Sequence, residues 1–243
     1  MKELKYTNQF KMKRFFYGLM IIGVLFPTIA KADSWLTPRG ALTYYSENRE
    51  YKLIVNPKFV PPKYYRYSYK SNKHPKSKRF LRKKEKLEQE ITPCIAELYR
   101  RSETGSTLIW KQTLLNDVCP VYAIVANDGS SVATFDNWGS KGYGKNVFVV
   151  YNENGEAKRS YELEEISLFR LNDYKTTRSS IHWLAAARFS DNERIEIVFE
   201  PKSVSAYARS FSTSFILSKQ LVSIYTESPT KRVYNIKSLE FEK

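Results

Sequence analysis

Short runs of apolar residues recur along most of the chain, and in many of them apolar and polar positions alternate. One such run sets Ile195 and Val198 against Glu196 and Glu200. This period is typical of half-buried β-strands. The predicted strands cover residues 41–45, 51–55, 95–101, 107–114, 121–126, 131–135, 146–151, 157–161, 181–189 and 194–199, with later runs at 206–217, 221–225 and 233–241.

Polar turns separate these runs. Asp128-Gly129 and Asn154-Gly155 are strong hairpin signals, because primed turns require positive φ angles. The unit of strand, Asn/Asp-rich turn and strand recurs around residues 128, 154 and 191. We therefore predict an all-β fold built of antiparallel meander, propeller-like or sandwich sheets. The chain is too short for a closed propeller of typical size, which favours an open stack of sheets.

Residues 52–86 interrupt the strand pattern with thirteen Lys or Arg against a single acid, Glu85. Prolines and tyrosines are interleaved with these cations. A stretch so charged buries little apolar surface, so we predict a flexible basic insertion at residues 57–90. Apolar residues at helical spacing predict a short helix over residues 80–91, and residues 162–169 predict another of one or two turns.

The first thirty-two residues have the order of a secretory signal. Basic residues come first, an apolar run follows over residues 15–29, and the small-x-small triplet Ala30-Lys31-Ala32 ends it. The apolar run is short and interrupted by Pro27, which disfavours a membrane span. We expect cleavage near Ala32, leaving a single β-rich domain over residues 33–243 in the periplasm or outside the cell. An uncleaved anchor is the alternative.

Export changes both the charge and the expected chemistry of the cysteines. Loss of residues 1–32 removes six basic residues and one acid, so the formal charge falls from +15 to +10. In an oxidising compartment the pair Cys94 and Cys119 predicts one disulfide. The hairpin register sets Cys94 opposite Leu115, so the second strand must bend for the sulfurs to meet. The alternative is a pair of buried thiols.

The most distinctive stretch, residues 134–147, reads TFDNWGSKGYGKNV. It resembles a segment of a loose set of uncharacterised exported bacterial proteins, in which a strand ends in TFDNW and a GYG loop follows within a β-propeller-like sheet. The resemblance extends over roughly residues 118–200. It implies a fold type and no catalytic residues.

The same stretch has a direct physical interpretation as a β-corner. Asp136 and Asn137 can hydrogen-bond nearby backbone amides, and glycines flank Tyr143. Trp138 would pack over the corner. The alternative is a ligand-facing loop carried on a rigid sheet, made of Asp136, Asn137, Trp138 and Tyr143.

Recognisable catalytic motifs are absent from the sequence. It contains no zinc-protease, phosphate-loop, dinucleotide-binding or serine-hydrolase motif, and its two histidines are His74 and His182. We therefore predict no catalytic residue, no metal and no cofactor. The alternative is an envelope hydrolase with a site near Asp136 and His182.

The basic, tyrosine-rich insertion carries the strongest remaining functional signal. Cations neutralise phosphate or carboxylate groups, and tyrosine rings stack on bases or sugars. We therefore predict a non-enzymatic binding or scaffold domain of the cell envelope, with affinity for anionic polymers or the membrane surface. A solvated loop without a ligand is the alternative. The candidate binding residues are Lys63, Tyr64, Tyr65, Arg66, Tyr67, Lys70, Lys78, Arg79, Arg82 and Lys83.

Overall fold

The computed structural model contains three four-stranded antiparallel sheets and a two-stranded ribbon. The structure describes residue 38 and residues 40–65, 77–202 and 230–242. These all belong to one compact unit, Trp35–Lys243. The predicted signal at residues 1–32 and the predicted runs at 206–217 and 221–225 lie outside the described residues.

Each large sheet is a meander, in which strands that follow one another along the chain pair with one another. The first sheet contains β1 (Leu42–Tyr45), β2 (Tyr51–Asn56), β3 (Ile95–Ser102) and β4 (Gly105–Thr113). The middle sheet contains β5 (Pro120–Val125), β6 (Val132–Asn137), β7 (Phe148–Tyr151) and β8 (Ala157–Tyr161). The third sheet contains β11 (Leu184–Asp191), β12 (Arg194–Phe199), β13 (Lys231–Asn235) and β14 (Glu240–Phe241).

Smaller elements connect the sheets. The ribbon pairs β9 (Lys175–Thr176) with β10 (Ile181–His182), between the middle and third sheets in chain order. The helical elements of the described residues include α1 (Lys78–Gln89), α2 (Leu163–Ile166), a 3₁₀ turn over Leu171–Asp173 and a helical turn over residues 62–65. The predicted all-β, antiparallel fold is confirmed, and the described strands close neither a barrel nor a propeller.

Two predicted strands have different outlines in the structure. The run over residues 181–189 is divided at Trp183, which is fully buried and separates β10 from β11. The run over residues 233–241 is a tight hairpin, because the Asn235 side chain accepts hydrogen bonds from the backbone amides of Lys237 and Ser238. Leu239 completes that turn with a φ of +57°.

The middle sheet is buried on both faces over β6 and β7. On one face Ala123, Val125, Val132, Val149 and Tyr151 join the first sheet in one apolar core. On the other face Ile124, Ala133, Phe135, Phe148 and Val150 join the third sheet in a second core. Alternate residues of one strand therefore belong to different cores, which is the expected consequence of the two-residue period of a β-strand.

Aromatic rings join the middle and third sheets. The Phe148 ring stacks on that of Phe135, with centroids 5.2 Å apart, and meets that of Tyr234 edge-on at 5.1 Å. The Tyr161 hydroxyl donates a hydrogen bond to the carbonyl of Leu239 at 2.8 Å. Offset and edge-on pairs of this kind add specific geometry to simple burial, so they fix how the two sheets face each other.

The first and middle sheets interlock through their hairpin turns. Gly155 has a φ of +76°, and a Cβ atom placed there would lie 2.7 Å from the Trp110 ring of β4. A second contact joins the β1–β2 turn to the β5–β6 turn, where the backbone amide of Asn48 donates to the Asn127 side chain at 2.9 Å. The Asn48 side-chain amide in turn donates to the Asn127 carbonyl at 2.8 Å. The Asn-Gly turn thus serves packing as well as chain reversal.

The predicted disulfide between Cys94 and Cys119 is wrong: both are free and buried. Cys94 follows the register of the first sheet, where its carbonyl accepts from the amide of Leu114, whereas Cys119 immediately precedes β5 of the middle sheet. Hydrogen bonding with Cys119, together with burial, raises the pKa of Cys94.

We expect Gly155→Ala to lower the free energy of unfolding more than Gly144→Ala does. Both glycines have positive φ, so each alanine carries a backbone cost of about 1–2 kcal/mol. Only the alanine at 155 also meets a ring, which adds about 1–3 kcal/mol. Nothing lies within 4 Å of a Cβ atom at Gly144. Equal losses in urea unfolding would contradict the packing of Gly155 against Trp110.

The thiol pair can be counted directly. In urea without reductant, we expect a thiol reagent to titrate both cysteines of each chain, because neither is in a disulfide. In the native protein the same reagent should react slowly, since Cys94 and Cys119 are 1% and 0% exposed. Absence of titratable thiol from unfolded protein would contradict the structure.

Candidate functional site

The basic insertion leaves the first sheet between β2 and β3 through a narrow neck. Phe59 and Thr92 form an antiparallel bridge there, with their two backbone hydrogen bonds at 3.0 and 3.1 Å. The amide of Lys58 donates to the carbonyl of Val118 at 2.8 Å. Its Nζ lies 2.6 Å from a carboxylate oxygen of Asp117. The insertion is therefore tied at its base to the segment that enters the middle sheet.

Above the neck, α1 begins after Ser77, whose hydroxyl accepts a hydrogen bond from the amide of Phe80 at 3.3 Å. Leu87 is the buried residue of this helix, and Phe80 is half-buried. The predicted helix over residues 80–91 is therefore present, shifted towards the N-terminus by its serine cap.

Five exposed cations share one side of α1. At 100° per residue they fall within an arc of about 140° on one side of the helix, and the buried Leu87 borders that arc. Glu85 and Glu88 lie outside it. The members of this basic face are Lys78, Arg79, Arg82, Lys83 and Lys86.

The far flank of α1 is held by polar contacts. Lys84 Nζ lies 3.0 Å from a Glu88 carboxylate oxygen, and the Tyr64 hydroxyl donates to the same carboxylate at 3.2 Å. The hydrogen bond from Lys84 lowers the pKa of Glu88. The Tyr64 and Tyr65 rings lie edge to face, 6.4 Å apart between centroids. These contacts hold residues 62–65 against the helix.

The structure thus brings together seven of the ten predicted binding residues in one insertion. Lys63 and Tyr65 are exposed and Tyr64 is half-buried, while the four from α1 lie on the basic face. Arg66, Tyr67 and Lys70 lie outside the described residues. The sequence pattern did not single out Lys86, which the helical period adds to the face.

The second candidate, the corner around Asp136, is an internal polar network. Asp136 is the penultimate residue of β6, has a φ of +62° and is 1% exposed. Its Oδ1 accepts from the amide of Gly142 at 2.6 Å and from the indole N–H of Trp183 at 2.9 Å. One carboxylate therefore links the middle sheet, the following loop and the start of the third sheet.

The loop fits closely around this carboxylate. A Cβ atom at Gly142 would lie 2.7 Å from the Ile181 side chain, so only glycine brings its amide this near. The amide of Ile181 donates to the carbonyl of Lys141 at 2.8 Å, which attaches the ribbon to the same loop.

Asparagine side chains complete the network, and sequence patterns did not reveal their role. Asn116 is fully buried; its amide donates to the carbonyl of Asp136 at 2.8 Å, and its Oδ1 accepts from the Thr134 hydroxyl at 2.8 Å. Asn146, with a φ of +63°, donates to the carbonyl of Leu115 at 2.9 Å. Only the bend expected around residues 116 and 117 hinted at this arrangement.

The other predicted corner residues also make internal contacts. The Asn137 side chain donates to the carbonyl of Lys145 at 2.7 Å. Trp138 packs partly buried against the first core. Tyr143 is 38% exposed, and its hydroxyl donates to the carbonyl of Thr177 at 3.3 Å. These contacts support the corner interpretation of the stretch over the ligand-facing loop.

Burial dominates the electrostatics of Asp136. It raises the pKa of the carboxyl to about 6, although the hydrogen bonds from Trp183 and Gly142 and the charge of Lys141 each act to lower it. The partner contributed by the ribbon region is Trp183 rather than His182, its half-buried neighbour in the chain.

Among the described residues, no group of three or more His, Cys, Asp or Glu side chains is placed to hold a metal ion. None of the helices they form has the length and apolar character needed to cross a membrane.

The raised pKa of Asp136 predicts how the free energy of unfolding changes with pH. Because its folded pKa lies above the unfolded value of 3.8, its stabilising contribution is complete at low pH and is lost as pH rises through 6. The shift corresponds to about 3 kcal/mol. We expect the advantage of the parent chain over Asp136→Asn in urea unfolding to shrink by about that amount between pH 4 and pH 7. Asparagine tolerates the same φ and keeps an acceptor, so it is a matched replacement. An advantage that is flat with pH would contradict the assignment.

Comparison with models of known protein families finds no match, and comparison with curated protein sequences finds no significant match. The resemblance of residues 134–147 to segments of exported bacterial proteins therefore stays a prediction.

Proposed function

We propose that this chain is an exported, non-catalytic β-sheet domain that binds polyanions through the basic face of α1. The observation that carries the proposal is the clustering of five exposed cations on one side of a single helix, next to exposed tyrosine and lysine side chains. A row of cations at this spacing can neutralise several phosphate or carboxylate groups of one polymer at once.

The charges of the face are available to a ligand. Within the described part of the chain, Lys78, Arg79, Arg82 and Lys86 form no ion pair, whereas the neighbouring Lys84 is paired with Glu88. An unpaired cation gives up only its hydration and its mobile counterions when it meets an anionic group. Release of those counterions is the main source of polyanion affinity.

Some of these cations lie where they destabilise α1 itself. Lys78 and Arg79 occupy the first turn of α1, which contains no acidic residue. The helix macrodipole is positive at that end, so cations there cost some helix stability. An anionic ligand at the face would relieve this repulsion. The arrangement is better explained by binding than by the folding of α1.

The hydrolase alternative has less support. It needs Asp136 to reach a substrate, but this carboxylate is 1% exposed and already accepts hydrogen bonds from Gly142 and Trp183. A buried carboxylate with two fixed donors is well suited to joining chain segments. Both observations favour a structural role for the corner.

A charge-matched pair of triple variants tests the proposal. Lys78→Gln, Arg79→Gln and Arg82→Gln together remove three charges from the basic face. The control triple is Lys158→Gln, Lys175→Gln and Arg178→Gln. It removes three exposed charges outside the insertion, in β8, in β9 and in the turn that follows β9. With duplex DNA as a generic polyanion, we expect the first triple to weaken binding by on the order of tenfold or more. Its slope of log affinity against log salt should fall by about 2–3.

The control triple should change both quantities little, because the net charge is altered equally but away from the face. Equal effects of the two triples would show that only net charge matters, and would contradict a specific face. Absence of salt-sensitive binding by the parent chain to DNA, heparin and anionic vesicles would contradict the proposal as a whole.

A further inference from the structure

We propose that the polyanion recognised by the basic face is the surface of an anionic lipid bilayer, into which apolar side chains of the insertion partly sink. This inference rests on the proposed function, since it names the partner of the same face. It adds a second, apolar component that a soluble polyanion would not use.

The most exposed large apolar side chains of the described chain lie in this insertion. Tyr65 is 62% exposed, Phe59 53% and Leu81 50%. Among the described large apolar residues outside the insertion, only Tyr45 reaches 50%, and the Arg101 guanidinium lies 5.4 Å from the centroid of its ring. Exposed apolar groups and exposed cations are thus concentrated in the same small part of the molecule.

The two kinds of side chain are placed side by side. On α1, Leu81 lies about 60° around the helix from Lys78, on the flank opposite Arg79 and Lys83. Tyr65 lies on the segment that Tyr64 holds against that flank through Glu88. The solvent side of the insertion therefore has cations along one margin and Leu81 and Tyr65 along the other, and on α1 the exposed Glu85 lies between Leu81 and Lys78.

This combination matches the chemistry of a membrane interface. Lipid phosphates attract the cations, at about 1 kcal/mol for each Lys or Arg near the surface. The boundary between headgroups and acyl chains accepts Leu and Phe side chains, and tyrosine rings favour the interface. A soluble polyphosphate or glycan offers nothing to Leu81. Single-stranded nucleic acid would stack on Tyr65 and Phe59 but would equally leave Leu81 exposed.

A probe at residue 81 reports insertion locally. In Leu81→Cys, the new thiol is labelled with an environment-sensitive nitrobenzoxadiazole dye, while Cys94 and Cys119 are protected by burial. Leu168→Cys, at a position 42% exposed outside the insertion, is the matched control. Vesicles of phosphatidylcholine with and without phosphatidylglycerol are then added to each labelled full chain.

We expect emission from residue 81 to shift to the blue and to brighten about twofold or more with phosphatidylglycerol vesicles only. Emission from residue 168 should stay unchanged. A probe at 81 that keeps its aqueous emission, while the protein sediments with the vesicles, would overturn the inference. An equal response at both positions would overturn it as well, because contact would then not be directed by the insertion.

A variant in the unlabelled chain separates the two proposals. Phe59→Ser with Leu81→Ser removes apolar surface and no charge. We expect it to weaken affinity for phosphatidylglycerol vesicles by about tenfold or more, and to leave heparin affinity within about twofold. Unchanged affinity for both would overturn the bilayer inference and leave the polyanion proposal standing. Failure of the parent chain to bind either probe would overturn both.

Discussion

The fold depends on one constraint, which is that the middle sheet has no solvent-facing side over β6 and β7. Every residue of β7 is buried, and so is β6 as far as Asp136. Alternate side chains of these strands supply different cores, so neither neighbouring sheet can be removed without exposing half of the middle sheet. Antiparallel sheets more often keep one face in water. Here β6 and β7 are instead nearly continuous in buried residues, and the exposed residues of the middle sheet lie mainly in its edge strand β8.

The Asp136 network supplies hydrogen-bond partners to polar groups that this arrangement buries. Where β6 ends, the chain must leave a sheet that is covered on both sides, and its backbone groups need partners away from water. Asp136 and Asn116 provide them, binding the amide of Gly142, the indole of Trp183 and the carbonyl of Asp136 itself. The cost is a buried carboxyl whose pKa rises to about 6. The most distinctive stretch of the sequence is thus explained by folding.

Local signals in the sequence predicted the strands and turns well. The bounds of residues 157–161 and 194–199 agree with β8 and β12, because apolar strand residues and Asn/Asp-rich turns are signals that neighbouring residues of the chain determine. Features that depend on distant contacts were not predictable. Asn116 looked like an ordinary bend residue, and the division at Trp183 requires knowing that its indole meets Asp136. The expected disulfide failed because two cysteines at plausible spacing carry no information on whether their sulfurs bond or merely touch.

The sheets carry the fold, and we propose that the insertion over residues 57–90 carries binding. The bridge between Phe59 and Thr92 makes this separation testable, since residues 60–91 can be replaced by an Asn-Gly turn at the neck. The most direct measurement is urea unfolding of this deletion together with its binding to heparin across a salt series. We expect cooperative unfolding with a midpoint close to that of the parent chain, and loss of salt-sensitive binding. A deletion that folds and still binds heparin like the parent would contradict this expectation.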